Sequence, residues 1–61
     1  MTVAERLIKA RGDTPREQVA SAVGVSVSAM SMYEIGARIP RDEIKVKLAK
    51  FYKKTVQELF F

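Results

Sequence analysis

Cysteine and histidine are both missing from the 61 residues. Without thiols no disulfide can staple the chain, and without either residue the usual ligands of a structural zinc site are gone. No apolar stretch approaches the roughly 20 residues of a membrane-spanning helix. No signal-peptide pattern opens the chain, so a cytoplasmic protein with no membrane contact is expected. Catalytic groupings are missing too: there are no paired carboxylates in a plausible cleft and no glycine-rich phosphate loop. So short a chain also leaves little volume for a pocket. An enzyme, a cofactor and a small-molecule ligand are therefore not expected. A chain of this length buries only about 60% of its unfolded surface. Residues 1–61 are read as one domain held by helix packing, with a second copy as the available source of further buried area.

Charge is present but uneven. The formal net charge is +4. Residues 1–20 carry +1, residues 21–35 carry −1 with Glu34 as their only charge, and residues 36–61 carry +4. A basic excess of this size favours a polyanionic partner, although a solvated surface would show the same composition.

Helical periodicity runs through the chain. Thr2 and Glu5 have the spacing of a capping box, followed by Val3, Leu7 and Ala10 on one face, with Ala4 and Ile8 widening it. This predicts a first helix over Thr2–Ala10, ended by Arg11 and Gly12. Thr14, Pro15 and Glu17 read as cap, first helical position and capping-box acid of a second helix. Its inward face is Val19, Ala20 and Val23. Gly24 should end it at positive φ, where a Cβ is penalised. Ser26 then caps a third helix running to Ile35, with Ala29, Met30 and Tyr33 inward. After a loop at Gly36–Pro40, a fourth helix begins near Arg41 with Asp42 and Glu43 in its first turn. Ile44, Leu48 and Phe51 form its core stripe, flanked by Val46, Ala49 and Tyr52. Thr55 and Glu58 repeat the capping-box spacing for a short last helix.

The organising stretch is Arg16–Glu34. Two helices joined by a short turn at Gly24, with small and apolar residues at the crossing, have the pattern of a helix-turn-helix unit. In a small basic chain that pattern points to double-stranded DNA, with the second helix of the unit in the major groove. The outward face of that helix holds Ser28, Ser31, Met32 and Ile35, with Val27 at its edge. It has no charge and carries large apolar side chains, unlike a merely solvated face.

These residues also carry a family likeness. The run Glu17-Gln18-Val19-Ala20, then Val23-Gly24-Val25-Ser26, then Ser28, Ser31, Tyr33-Glu34, Gly36, Arg38 and Pro40 resembles the Xre-type, lambda-repressor-like helix-turn-helix family. Leu48-Ala49-Lys50 and Thr55–Phe60 are similar to that family's last two helices. The resemblance covers nearly the whole chain. It implies an all-α, compact five-helix bundle and a transcriptional regulator of bacteria or phages that acts as a dimer. It also implies that the Ser26–Ile35 helix reads bases, while the start of the second helix and the loop before the fourth hold phosphates. The chain departs from the family pattern at four residues and in the turn between the first two helices, which looks shorter than usual. Arg16 stands where Gln is usual. Val27 and Met32 stand where Gln, Arg or Asn is common. Lys53 stands near where many members have Gly.

Candidate roles follow. Val27, Ser28, Ser31 and Met32 are the base-reading candidates. Val and Met offer apolar contact to thymine methyl groups, and Ser can bond to several base edges. Arg16, Ser26, Arg38 and Arg41 are the phosphate candidates, Arg16 beside the free N–H groups of a helix start. Glu34 is an acid at the end of a DNA-facing helix, and the resemblance pairs it with Arg11. A homodimer on a pseudo-palindromic operator would place two reading helices about one helical turn apart. Leu59 or Phe60 is expected to pack onto the first and fourth helices, leaving Phe61 for the second copy. The alternative is a protein-interaction module, an antitoxin or anti-repressor, that uses the apolar face of the third helix on a protein.

Overall fold

Thr2 opens the first helix as a reciprocal cap. Its Oγ1 accepts from the Glu5 N–H at 3.1 Å, and the Glu5 carboxylate accepts from the Thr2 N–H at 2.8 Å. The computed structural model describes residues 1–61 and contains five helices: α1 (Val3–Arg11), α2 (Arg16–Val23), α3 (Val27–Glu34), α4 (Asp42–Tyr52) and α5 (Val56–Phe60). It contains no strand. The radius of gyration is 10.0 Å, close to the value of about 10.5 Å that chain length alone predicts for a close-packed globule. The fold is the all-α, five-helix arrangement of the lambda-repressor-like class.

The core takes one or more residues from every helix. Leu7 comes from α1, Val19, Ala20 and Val23 from α2, Met30 and Tyr33 from α3, Ile44, Leu48 and Ala49 from α4, and Leu59 and Phe60 from α5. α1 packs on α3 and α5, α2 on α3 and α4, and α4 on α5. Both Leu59 and Phe60 are buried, so α5 closes the core with two side chains rather than one. Thr55 and Glu58 make the same reciprocal cap as Thr2 and Glu5, which starts α5 despite its five-residue length. Lys45 lays its stem over this corner, with its ammonium 5.6 Å from the Phe60 ring centre and 5.4 Å from that of Phe61.

Three local readings change. The second helix has no Thr14–Glu17 capping box: Pro15 is the cap, at φ −58° and ψ 139°, with no side-chain hydrogen bond. Thr14 is instead turned into the α1–α2 connection, its N–H donating to the Arg11 carbonyl at 3.0 Å. Ile35 caps α3 rather than ending it. Ile8 and Val46 lie on the outside, not at the edge of the core.

The turn between α2 and α3 depends on Gly24. Its φ of 79° and ψ of 32° are left-handed, and the N–H groups of Gly24 and Val25 both donate to the Ala20 carbonyl, at 2.9 and 3.0 Å. A Cβ at Gly24 would meet nothing within 4 Å, so the requirement for glycine there is conformational rather than steric. Lys53 closes α4 in the same left-handed region, at φ 57°, with a side chain that pays the Cβ penalty.

Candidate nucleic-acid interface

Ser26 sets the start of α3. Its Oγ accepts from the Ala29 N–H at 3.0 Å, the usual N-cap bond. The hydroxyl hydrogen remains free. With Met30 and Tyr33 buried, the helix turns Val27, Ser28 and Met32 to solvent, Val27 at 41% and Met32 at 39% exposure. Ile35, 74% exposed, continues this uncharged surface past the helix end, and Ile39 lies open in the following loop. That loop folds back on α3: the N–H groups of Ala37 and Arg38 both donate to the Met32 carbonyl, at 3.0 and 3.3 Å. Arg38 is thereby carried beside the last turn of α3, with its side chain exposed.

Glu34 sits behind this face. It is 3% exposed, and both carboxylate oxygens are used. Oε2 accepts from Arg11 Nε at 2.7 Å, and Oε1 accepts from Arg11 Nη2 at 3.2 Å, a two-pronged pair. Oε1 also accepts from Arg16 Nε at 3.2 Å. Arg11 has one further bond, from Nη1 to the Thr14 carbonyl at 3.0 Å. The Glu34 carboxylate, by hydrogen bond first and by its charge as well, holds the Arg11 guanidinium above its ordinary range. One acid thus ties α1, α2 and α3 together, and two guanidiniums share a single negative charge.

Arg16 is the residue that sequence reasoning placed only in part. The sequence marks it as an anion contact at a helix start. The structure also sends it across to α3, where Nη1 donates to the Ser31 Oγ at 3.2 Å. Ser31 is consequently half-buried and drawn to the α2 side of the face, away from the open positions of Ser28 and Met32. The Arg16 side chain is still 37% exposed, although all three guanidinium nitrogens have partners, Nη2 lying 3.1 Å from Glu34 Oε1. A signal was available: Glu34 is the only acid between Glu17 and Asp42, so any arginine near the unit has one partner to share. Arg41 is held loosely, 3.6 Å from Glu43 with both groups open to water, a contact worth little. With Lys47 it borders a hollow of about 370 Å³ that also touches Gly24, Val25 and Tyr33 at the helix-turn-helix corner.

Tyr52 lies behind the cluster. Its hydroxyl is buried and has no hydrogen-bond partner. Burial, with a smaller contribution from the Glu34 charge, pushes the phenol up to about 12. No cluster of three or more acidic residues that could hold a metal is present, and no helix is long and apolar enough to cross a membrane.

Two helices crossing at a left-handed glycine, with the second helix turned outward beside exposed arginines, define a helix-turn-helix DNA-binding fold. The family model described as helix-turn-helix matches residues 4–59, and the chain belongs to that family, the Xre or lambda-repressor-like proteins. It is a DNA-binding regulator of the helix-turn-helix kind. No curated protein and no solved structure matches the chain at a significant level.

Proposed function

We propose that this chain is a sequence-specific transcriptional regulator that lays α3 in the major groove and binds as a homodimer to a pseudo-palindromic operator. The observation that carries this reading is the outward face of α3, uncharged and open at Val27, Ser28 and Met32, with Arg16 bonded to Ser31, and with Arg38 held on the loop that folds back onto Met32. Val27 and Met32 read thymine methyl groups, and Ser28 bonds to base edges. Ser31, under Arg16, is the innermost of the four base-reading candidates. Arg16, Ser26, Arg38 and Arg41 hold phosphates. Arg16 does so with the remaining N–H groups of a guanidinium that Glu34 and Ser31 already orient, which lowers the ordering cost of the contact. Arg11 and Glu34 keep α3 at its angle to α1 and α2. Phe61, 77% exposed, is the residue offered to the second copy, in a contact where the same patch meets itself. The cytoplasm of a bacterial cell, where the DNA lies, is the corresponding place of action.

A second reading rests on one observation. Ile35 and Ile39 extend the apolar surface beyond what base edges would cover, and a partner protein could cover all of it. Selection of bound sequences from a random duplex pool, followed by a salt titration of the winner, separates the two. The regulator should enrich a two-fold sequence and lose affinity steeply with salt. Arg16→Ala and Arg38→Ala should each flatten that slope by about one unit. Sedimentation with and without the selected duplex reports the dimer, and Phe61→Ser should weaken it without loss of helix. A pool that yields no enriched sequence, or an affinity indifferent to salt, overturns the proposal.

A further inference from the structure

A groove of about 600 Å³ runs between α1 and α5, and none of its lining residues comes from α2, α3 or the loop that follows α3. That volume lies within the range of about 300–1,000 Å³ typical of ligand sites. Ala10 and Leu59 line it, and Met1 and Phe61 stand beside them as exposed apolar side chains. Arg6, Lys9 and Lys54 border it with three positive charges. None of the three is within ion-pair distance of an acid. The one acid in the lining, Glu58, accepts from the Thr55 N–H at 2.8 Å and keeps its negative charge, which that bond and, more weakly, Lys54 favour. The groove therefore has an apolar part and a rim on which three positive charges stand against one negative charge.

We propose that this groove docks a short acidic segment of a partner protein, an apolar side chain seated against Ala10 beside Met1 and Phe61, with flanking carboxylates on Arg6, Lys9 and Lys54. A second copy seated within the groove itself would bring Arg6, Lys9 and Lys54 to face themselves. A nucleic-acid backbone has the charge but no side chain for the apolar floor. Placement gives the segment a role compatible with bound DNA. The lining shares no residue with the base-reading or phosphate candidates, so the segment leaves the DNA contacts of one copy open; it shares only Phe61 with the proposed contact between copies. The proposal goes beyond the DNA-binding reading and does not require it.

The test uses the whole chain and a dye-labelled peptide of alternating Glu and Ser around one central Phe. Fluorescence anisotropy gives affinity, and amide chemical shifts give location, each measured with and without a saturating random-sequence duplex. Shifts should gather at Arg6, Lys9, Ala10, Lys54 and Leu59, and the duplex should leave the affinity within a few-fold. Replacing the peptide's Phe by Ser, or its Glu residues by Gln, should each remove most of the binding. The exposed double variant Lys9→Glu with Lys54→Glu should weaken the peptide about tenfold while keeping its helical content. The single variant Lys9→Glu, with a smaller loss, guards against a fold defect in the double. Shifts at α2 and α3, with the peptide displaced by duplex, would overturn the proposal, because the peptide would then be imitating DNA. Binding that survives the charge variants would overturn it too, since the peptide's carboxylates would then make no use of Lys9 and Lys54. Absence of duplex binding with a peptide still seated between α1 and α5 would remove the DNA reading and leave this one standing.

Discussion

Arg16 Nε and Arg11 Nη2 donate to the same oxygen of Glu34, each at 3.2 Å. The two arginines come from different helices, so the acid acts as a joint of three elements rather than a partner of one. Breaking a buried pair by removing one member strands the other charge, typically at a cost of about 3–5 kcal/mol. Glu34→Ala should therefore lower stability by about 3 kcal/mol, read by urea unfolding. Arg16→Ala should cost about 1 kcal/mol or less, because its side chain is partly open and Arg11 keeps the acid paired. Equal losses for the two variants would mean that Arg16, not Arg11, is the main counter-charge.

The two left-handed caps should respond with opposite signs. Gly24→Ala meets no steric obstacle but must hold a Cβ at φ 79°. It should destabilise by about 1 kcal/mol. Lys53→Gly relieves the same penalty at φ 57° and should stabilise by up to about 1 kcal/mol. Thermal melts of the pair decide it, and a destabilising Lys53→Gly would mean that the lysine side chain contributes more than its backbone strain costs.

Tyr52 makes stability sensitive to alkali. Its folded-state value, pushed up to about 12, lies above the ordinary 10. The neutral phenol is thus favoured by the fold. That contribution is fully present below pH 10 and is lost as pH rises toward 12. Phenolate absorbance should show a late ionisation that disappears in Tyr52→Phe. The same variant deletes a buried hydroxyl with no partner, so at pH 7 its melting temperature should be equal to or above that of the parent. A clear drop would reveal a water bonded to the hydroxyl.

Val27 and Met32 should recognise a methyl group rather than a hydrogen-bond pattern. Replacing thymine by uracil in the selected duplex should weaken the parent at one or two positions, by about 1 kcal/mol or less for each. Val27→Ala or Met32→Ala should erase that difference. Uracil at every thymine with no change in binding would exclude apolar readout.

Much of this was legible because the relevant signals are local. A capping box spans four residues, and both boxes formed at Thr2–Glu5 and Thr55–Glu58. The glycine at the α2–α3 turn acts on its own φ. The face of α3 follows from helical spacing, with Met30 and Tyr33 inward. The Arg11–Glu34 pair came from family likeness, not from spacing. Arg16 was harder, because a long side chain chooses among rotamers by what tertiary packing brings within reach, and its partners lie 15 and 18 residues away. Pro15 displaced the Thr14 cap for a related reason, since Arg11 claims the Thr14 carbonyl from another helix. Lys53 carries no local signal of positive φ; the only pointer is the family likeness, which has Gly near that position, and the N–H groups of Lys53 and Lys54 bond back to the Lys50 and Ala49 carbonyls.

The shortness of α3 limits how much information one copy can extract. Eight residues at about 1.5 Å each give an axis of about 12 Å, which spans about four base pairs at about 3.4 Å per step. Even a perfect reading of four positions singles out only about one sequence in 256, against about a million or more competing sites in a genome. Such an address recurs thousands of times. Two helices reading separate half-sites multiply their selectivity, to about one in 65,000, without lengthening either helix. The limit is one of address length, and stronger phosphate contacts would leave it unchanged, because they tighten every site alike.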